Sequence, residues 1–145
     1  MSQNPRIKKH IQSLKSLSAS MDDYLFLCDF QTGTNWFFGD FDDEFALCSD
    51  GEGANTTAQY LSVVPPRDRE MLCKDFDEIR AGRKDTHEMT YRWVNRSGRS
   101  VWINCRGNVV KENGETIALI GRVSKGIFAT KVNGVTGMFN KRKML

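Results

Sequence analysis

The 145 residues carry 21 Lys and Arg against 18 Asp and Glu, a formal net charge of +3, and 39% are hydrophobic. That length and composition suit one globular domain with its own core, and the near-balanced charge excludes a surface built on many phosphate contacts, so no nucleic-acid partner is expected. No apolar stretch reaches the roughly 20 residues of a membrane span, and no apolar run follows the basic residues of MSQNPRIKKH as a secretory signal requires; a cytoplasmic chain without a membrane partner is expected.

Residues 6–19 read as a helix. Ile7, Ile11, Leu14 and Leu17 recur at steps of four, three and three, which places them on one stripe. Two heptads are too short for an isolated coiled coil, so the stripe needs a surface: the rest of the domain, a second copy, or both. DYLFLCDF (23–30) reads as a buried strand, QTGT as a turn in which Gly33 supplies backbone freedom, and NWFF as the second strand of a hairpin. DDEFALCSD (42–50) suggests a short helix, and TTAQYLSVV (56–64) another.

Pro65 and Pro66 suit a helix start. RDREMLCKDFDEIRAG (67–82) is the strongest helix of the chain, with Leu72, Phe76 and Ile79 as its apolar stripe, Asp68 and Glu70 in its first turns and Gly82 at its C-terminal cap. Three long strands follow: HEMTYRWVN to the turn RSG, RSVWINCRGNVVK to the turn ENGE, and TIALIGRVS. Asn113-Gly114 between apolar runs is a strong hairpin signal. The expected fold class is α+β, with a five-stranded antiparallel sheet, helices on one face and an N-terminal helix.

The turns predict faces. With Asn95 opposite Arg99, Trp93 pairs with Val101, Tyr91 with Ile103 and Met89 with Cys105; with Glu112 opposite Glu115, Val109 pairs with Ala118 and Gly107 with Ile120. One face then shows Met89, Tyr91, Trp93, Val101, Ile103, Cys105, Val109, Ala118 and Ile120 and carries the internal helices. The other shows Arg92, Trp102, Asn104, Arg106, Val110, Ile117, Leu119 and Val123. It is too apolar to stand in water, and the N-terminal helix is its expected cover.

Cys28, Cys48, Cys73 and Cys105 form no C-x-x-C pair and sit among apolar neighbours, so they read as reduced, buried small hydrophobes. Asp40, Asp42, Asp43 and Glu44 read as a solvated run or helix start rather than a cation site, and no metal is expected. Arg92 and Arg106 are expected over Trp102 or against acidic residues of the outer sheet face.

From about Tyr24 to Val123 the chain resembles PAS sensor domains of the class whose second half is called the PAC motif. LSVVPPRDRE is similar to the family's helix start, with Pro66, Asp68 and Arg69 in step and Pro65 where His is usual. EMTYRWVNRSGRSVWINCRGNVVKENGETIALIGRVS follows the family pattern through Tyr91, Arg92, Gly98, Trp102, Gly114 and Gly121. The usual closing Asp-Ile-Thr is absent, replaced by SKGIFATKV. NGVTGMFNKRKML resembles the opening of a GGDEF-type diguanylate cyclase domain through Thr136, Gly137, Asn140 and Arg142, and the chain stops before that family's catalytic carboxylates.

The resemblance implies three segments: a dimerisation or capping helix in 1–20 (Ile7, Ile11, Leu14, Leu17), a PAS sensor in 21–126, and a linker with the start of an output domain in 127–145. It implies a sensory, homodimeric module regulating a diguanylate cyclase-type output in bacterial signalling, without catalytic residues of its own. The expected pocket takes Phe76 and Ile79 from the helix and Tyr91, Trp93, Ile103 and Cys105 from the sheet, for a small molecule of unknown identity. Haem and flavin are not expected: His10 and His87 stand away from the family's haem-binding helix and read as solvated, and Asn104-Cys105-Arg106 falls on a strand rather than a flavin-binding helix. A filled protein-interaction domain, or a small α+β enzyme with an unassigned pocket, is the alternative.

Overall fold

The computed structural model describes residues 4–39, 44–45 and 54–125. Most of the helix expected over 42–50, Cys48, Asp40, Asp42 and Asp43, and the segment with the cyclase resemblance lie outside the described residues. In chain order the elements are α1 (Lys8–Ser18), β1 (Tyr24–Asp29), β2 (Thr34–Phe38), β3 (Ala54–Thr56), α2 (Thr57–Leu61), α3 (Pro66–Arg80), β4 (Thr86–Val94), β5 (Ser100–Glu112) and β6 (Glu115–Lys125). One antiparallel sheet runs in the order β3-β2-β1-β6-β5-β4.

The sheet has six strands, not the five expected. The added strand is β3, in which Ala54, Asn55 and Thr56 pair with Trp36, Asn35 and Thr34. Thr56 ends this strand and opens α2. Its hydroxyl accepts from the Gln59 backbone N–H at 3.1 Å, and the Gln59 side chain accepts from the Thr56 N–H at 2.8 Å. This is a capping box, and it explains why a helix begins one residue after a strand.

The β5–β6 turn is built as the sequence predicts. Asn113 and Gly114 take φ of 54° and 81°, as a two-residue turn matched to strand twist requires, and Glu112 faces Glu115. Then the ladder departs from the even count. Lys111 pairs with Thr116 but Val110 with Ala118, which leaves Ile117 as the extra residue of a bulge. Every later side chain of β6 is displaced by one position. Leu119 and Val123, expected outside, pack in the inner core with Tyr91, Trp93, Ile103 and Cys105. Ala118 and Ile120, expected inside, join the outer core. The β4–β5 register is as expected.

The outer core is closed by α1. Ile7 and Ile11 are buried against Leu25, Leu27, Trp36, Phe38, Ile117 and Ala118, and Arg6 just before the helix bonds Glu112 at 2.6 Å and Glu115 at 3.3 Å across the β5–β6 turn. Ile11→Ala is expected to lower unfolding stability in urea by about 2–4 kcal/mol. A loss below about 1 kcal/mol would mean that α1 does not dock on this face.

On the opposite face α3 starts at Pro66, buries Leu72 and Ile79 and stops before Gly82, whose φ is 82°. It also covers the free edge of β4: the Asp68 carboxylate accepts from the Arg92 N–H at 3.1 Å, and the Val63 carbonyl just before α3 accepts from the Val94 N–H at 2.7 Å. An edge so occupied is closed to strand addition at those positions.

Candidate functional site

Strand alternation aims Tyr91 and Trp93 at the inner face of β4, and pairing sets Ile103 and Cys105 beside them on β5. Ile79 and Phe76, one helical turn apart on α3, close over the same spot. All six expected pocket residues meet in one cluster, with Phe76 half-buried and the others buried.

The structure adds further aromatic rings to this cluster, four of them around Trp93. The Trp93 ring lies 5.0 Å from Phe45, 5.6 Å from Phe37 and 5.9 Å from Tyr60, each edge-on, and 6.4 Å from Tyr24 in a stacked arrangement. The first hairpin held the missing signal: alternation in β1 and β2 sets Tyr24, Phe26 and Phe37 on one face, but the runs Tyr24–Cys28 and Trp36–Phe38 are apolar on both faces and gave no contrast by which to choose it.

Polar atoms inside this cage are few and mostly paired. The Trp93 indole N–H donates to the Tyr60 hydroxyl at 3.1 Å, and the Tyr60 and Tyr91 hydroxyls bond each other, as buried phenol and indole groups must. Asn35 and Asn55 are buried where β2 meets β3; the Asn35 amide donates to the Asn55 carbonyl at 3.4 Å, and the Asn55 amide nitrogen has no partner. Burial pushes the Tyr60 and Tyr91 phenols well above their usual range. It pushes the Cys28 thiol up to about 12, against the pull of Arg80, and the Cys105 thiol further still. Neither thiol is a thiolate at neutral pH, so neither is an activated nucleophile. These thiols do not equip the cluster for nucleophilic attack.

The family model described as PAS fold matches residues 48–123, just over half of the chain. The chain belongs to the PAS fold family. Among solved structures it is similar to the N-terminal domain of a diguanylate cyclase with PAS/PAC sensor from Marinobacter aquaeolei, at 23% identity over 72% of this chain and 94% of that one, TM-score 0.60. It is also similar to a sensory box histidine kinase/response regulator from Burkholderia thailandensis, at 21% identity over 86% and 89%, TM-score 0.58. A PAS domain from Colwellia psychrerythraea matches at 13% identity over 83% and 96%, TM-score 0.59. These likenesses share the fold. No curated protein matches the sequence.

In this PAS domain Arg92 and Arg106 lie where expected, over Trp102 and against acidic residues. The Arg92 guanidinium lies 5.3 Å from the Trp102 ring centre and bonds both Asp68 oxygens, at 3.0 and 2.9 Å; these bonds, more than the opposing effect of burial, hold the Asp68 carboxyl below its usual range. Arg106 pairs with Glu88 at 3.1 Å. Glu44, the described member of the acidic run, bonds Lys125. The stripe of α1 divides: Ile7 and Ile11 are spent on the sheet, Leu14 is half-buried, and Leu17 is 52% exposed. Leu14, Leu17 and Met21 border a groove of about 660 Å³ whose floor includes Leu25 and Ile120. Against expectation, His87 is not solvated but 1% exposed and bonded to Asp75. No described helix is long and apolar enough to cross a membrane.

Proposed function

We propose that this PAS domain is the sensory and dimerising module of a bacterial, cytoplasmic signalling protein, and that it regulates a diguanylate cyclase-type output domain without catalysing a reaction itself. The observation that carries this reading is the position of β6. It lies between β1 and β5, sends Leu119 and Val123 into the aromatic core, and ends at Lys125, whose ammonium bonds the Tyr24 hydroxyl at 3.1 Å and also Glu44. The sequence then continues through the 127–145 segment with its cyclase-like opening. A small molecule that repacks Phe76, Ile79, Tyr91, Trp93, Ile103 and Cys105 would therefore shift the strand that feeds the output. It signals only insofar as it binds one packing better than the other.

For dimerisation, the exposed remainder of the α1 stripe, Leu14 and Leu17, together with Met21, offers the contact to a second copy, while Ile7 and Ile11 hold the helix to its own sheet. Native mass spectrometry of freshly purified protein is expected to give a dimer mass; a strict monomer overturns the dimer reading. In the parent protein, cyclic di-GMP synthesis is expected to change when residues 1–125 are removed, and unchanged synthesis would sink the regulatory reading. A second reading, a protein-interaction domain with a filled core, is favoured by the close contacts that Trp93 makes with four aromatic rings. A small molecule retained in the same mass spectra decides against it.

A further inference from the structure

His87, at the start of β4, has a side chain with no solvent exposure. Its Nδ1 lies 2.6 Å from Asp75 Oδ2 on α3. The other Asp75 oxygen is bonded by the Lys84 ammonium, from the loop between α3 and β4. The Phe76 ring centre lies 5.1 Å from that of the imidazole. On β5 the residue opposite His87 is Gly107, which pairs in turn with Gly121 of β6, so neither strand sets a titratable side chain at that position. Asp75 and Lys84 are the charged groups acting on the ring, and Nε2 is buried with no hydrogen-bond partner.

The tautomer follows. An ionised carboxylate only accepts, so Nδ1 carries the proton and Nε2 is a bare lone pair. A neutral imidazole tolerates that burial; a protonated one carries a charge and an N–H donor with no acceptor. Burial pushes the ring below the usual histidine range, and the opposing pull of Asp75 does not offset it. Burial pushes Asp75 up, but the bonds from Lys84 and His87 outweigh it and hold the carboxyl low. The carboxylate thus stays ionised while the ring titrates.

We propose that His87, Asp75 and Lys84 form an acid-responsive joint, in which a proton taken from solvent acid at Nε2 releases the start of β4 from α3. One N–H bond forms at Nε2 as one O–H bond of the hydronium ion that supplies the proton breaks to leave water, and no other covalent bond changes. Because the closed joint holds the ring below its solvated value, the open state binds the proton more readily. The joint is fully closed above a pH of about 6.5 and loses stability as pH falls through that value toward the ring's own lower one. Since α3 buries Leu72 and Ile79 in the inner core, loosening this joint also loosens one wall of the aromatic cage. The inference stands on this cluster and not on the sensor reading.

Amide hydrogen exchange, corrected for the intrinsic effect of pH, tests it on the 145-residue chain and on His87→Gln. Protection of residues 75–80 and 86–89 is expected to fall about tenfold between about pH 7.5 and pH 5.5 in the unaltered chain and to stay level in the variant. Equal protection at both pH values, or the same fall in the variant, overturns the proposal. Should His87→Gln not fold, NMR titration of the His87 ring in the unaltered chain decides: a midpoint below about 6.5 supports the joint, and one at or above it overturns it.

Discussion

Trp93→Ala is expected to unfold in urea with about 3–5 kcal/mol less stability than the unaltered chain. The side chain is fully buried, and four aromatic rings approach its own within 6.4 Å. Removing it takes the largest apolar surface from the inner core and leaves a space that rings held by separate strands and helices cannot all move to fill. It also removes the N–H that the Tyr60 hydroxyl accepts. A domain of this size has about 5–15 kcal/mol in total, so the variant stands near its unfolding threshold. Trp93→Phe restores ring contact without the donor and is expected to lose less. Far-ultraviolet circular dichroism is the right probe, since the substitution itself changes tryptophan fluorescence. A loss below about 1 kcal/mol for Trp93→Ala would show that the cage is not packed around this ring.

What could be read from the sequence follows from how much contrast each segment offered. In HEMTYRWVN, apolar Met89, Tyr91 and Trp93 alternate with polar Glu88, Thr90 and Arg92, so the inner face was legible, and with it the residues that meet in the inner core. In TIALIG both sets are apolar, Ile117 and Leu119 on one count and Ala118 and Ile120 on the other, so a bulge at Ile117 exchanges the faces of this stretch without a change in polarity. The signal lay further along: an unbroken count would put Arg122 on the inner apolar face with Ala118 and Ile120, and the bulge turns it to the outer face, 3.8 Å from Asp23. Three-residue β3 is too short for alternation to register, yet Thr56 and Gln59 carried the capping-box spacing that marks its end. The α1 stripe was legible as apolar, but its division was not: whether Ile11 or Leu17 meets the sheet depends on where the helix crosses it. For His87 the signal was present, because the same alternation that aimed Met89 and Tyr91 inward aims His87 inward too. Polarity argued the other way, and the acceptor that permits its burial, Asp75, lies 12 residues earlier on another element.

The same strand register makes a second strong demand. Gly121 of β6 pairs with Gly107 of β5, and a Cβ on Gly121 would lie 1.9 Å from the Arg106 carbonyl oxygen and 2.6 Å from the Gly107 Cα. The φ of Gly121 is not in the left-handed region, so the demand is for space rather than for backbone freedom. No side-chain rotation relieves a clash with backbone; β5 and β6 must part. Gly121→Ala is expected to cost about 2–3 kcal/mol in urea unfolding, well beyond an ordinary surface substitution. A Cβ on Gly107 meets the Ile120 carbonyl oxygen at 2.8 Å and the Phe26 ring at 3.1 Å, and relieving it asks for the same separation. The double alanine variant is therefore expected to lose less than the two single losses added together. Because β6 joins the two halves of the sheet, the parting should also lower amide protection on both β1 and β5. A Gly121→Ala chain within about 0.5 kcal/mol of the unaltered one would mean that these strands do not approach so closely, and the displaced faces of β6 would lose their geometric basis.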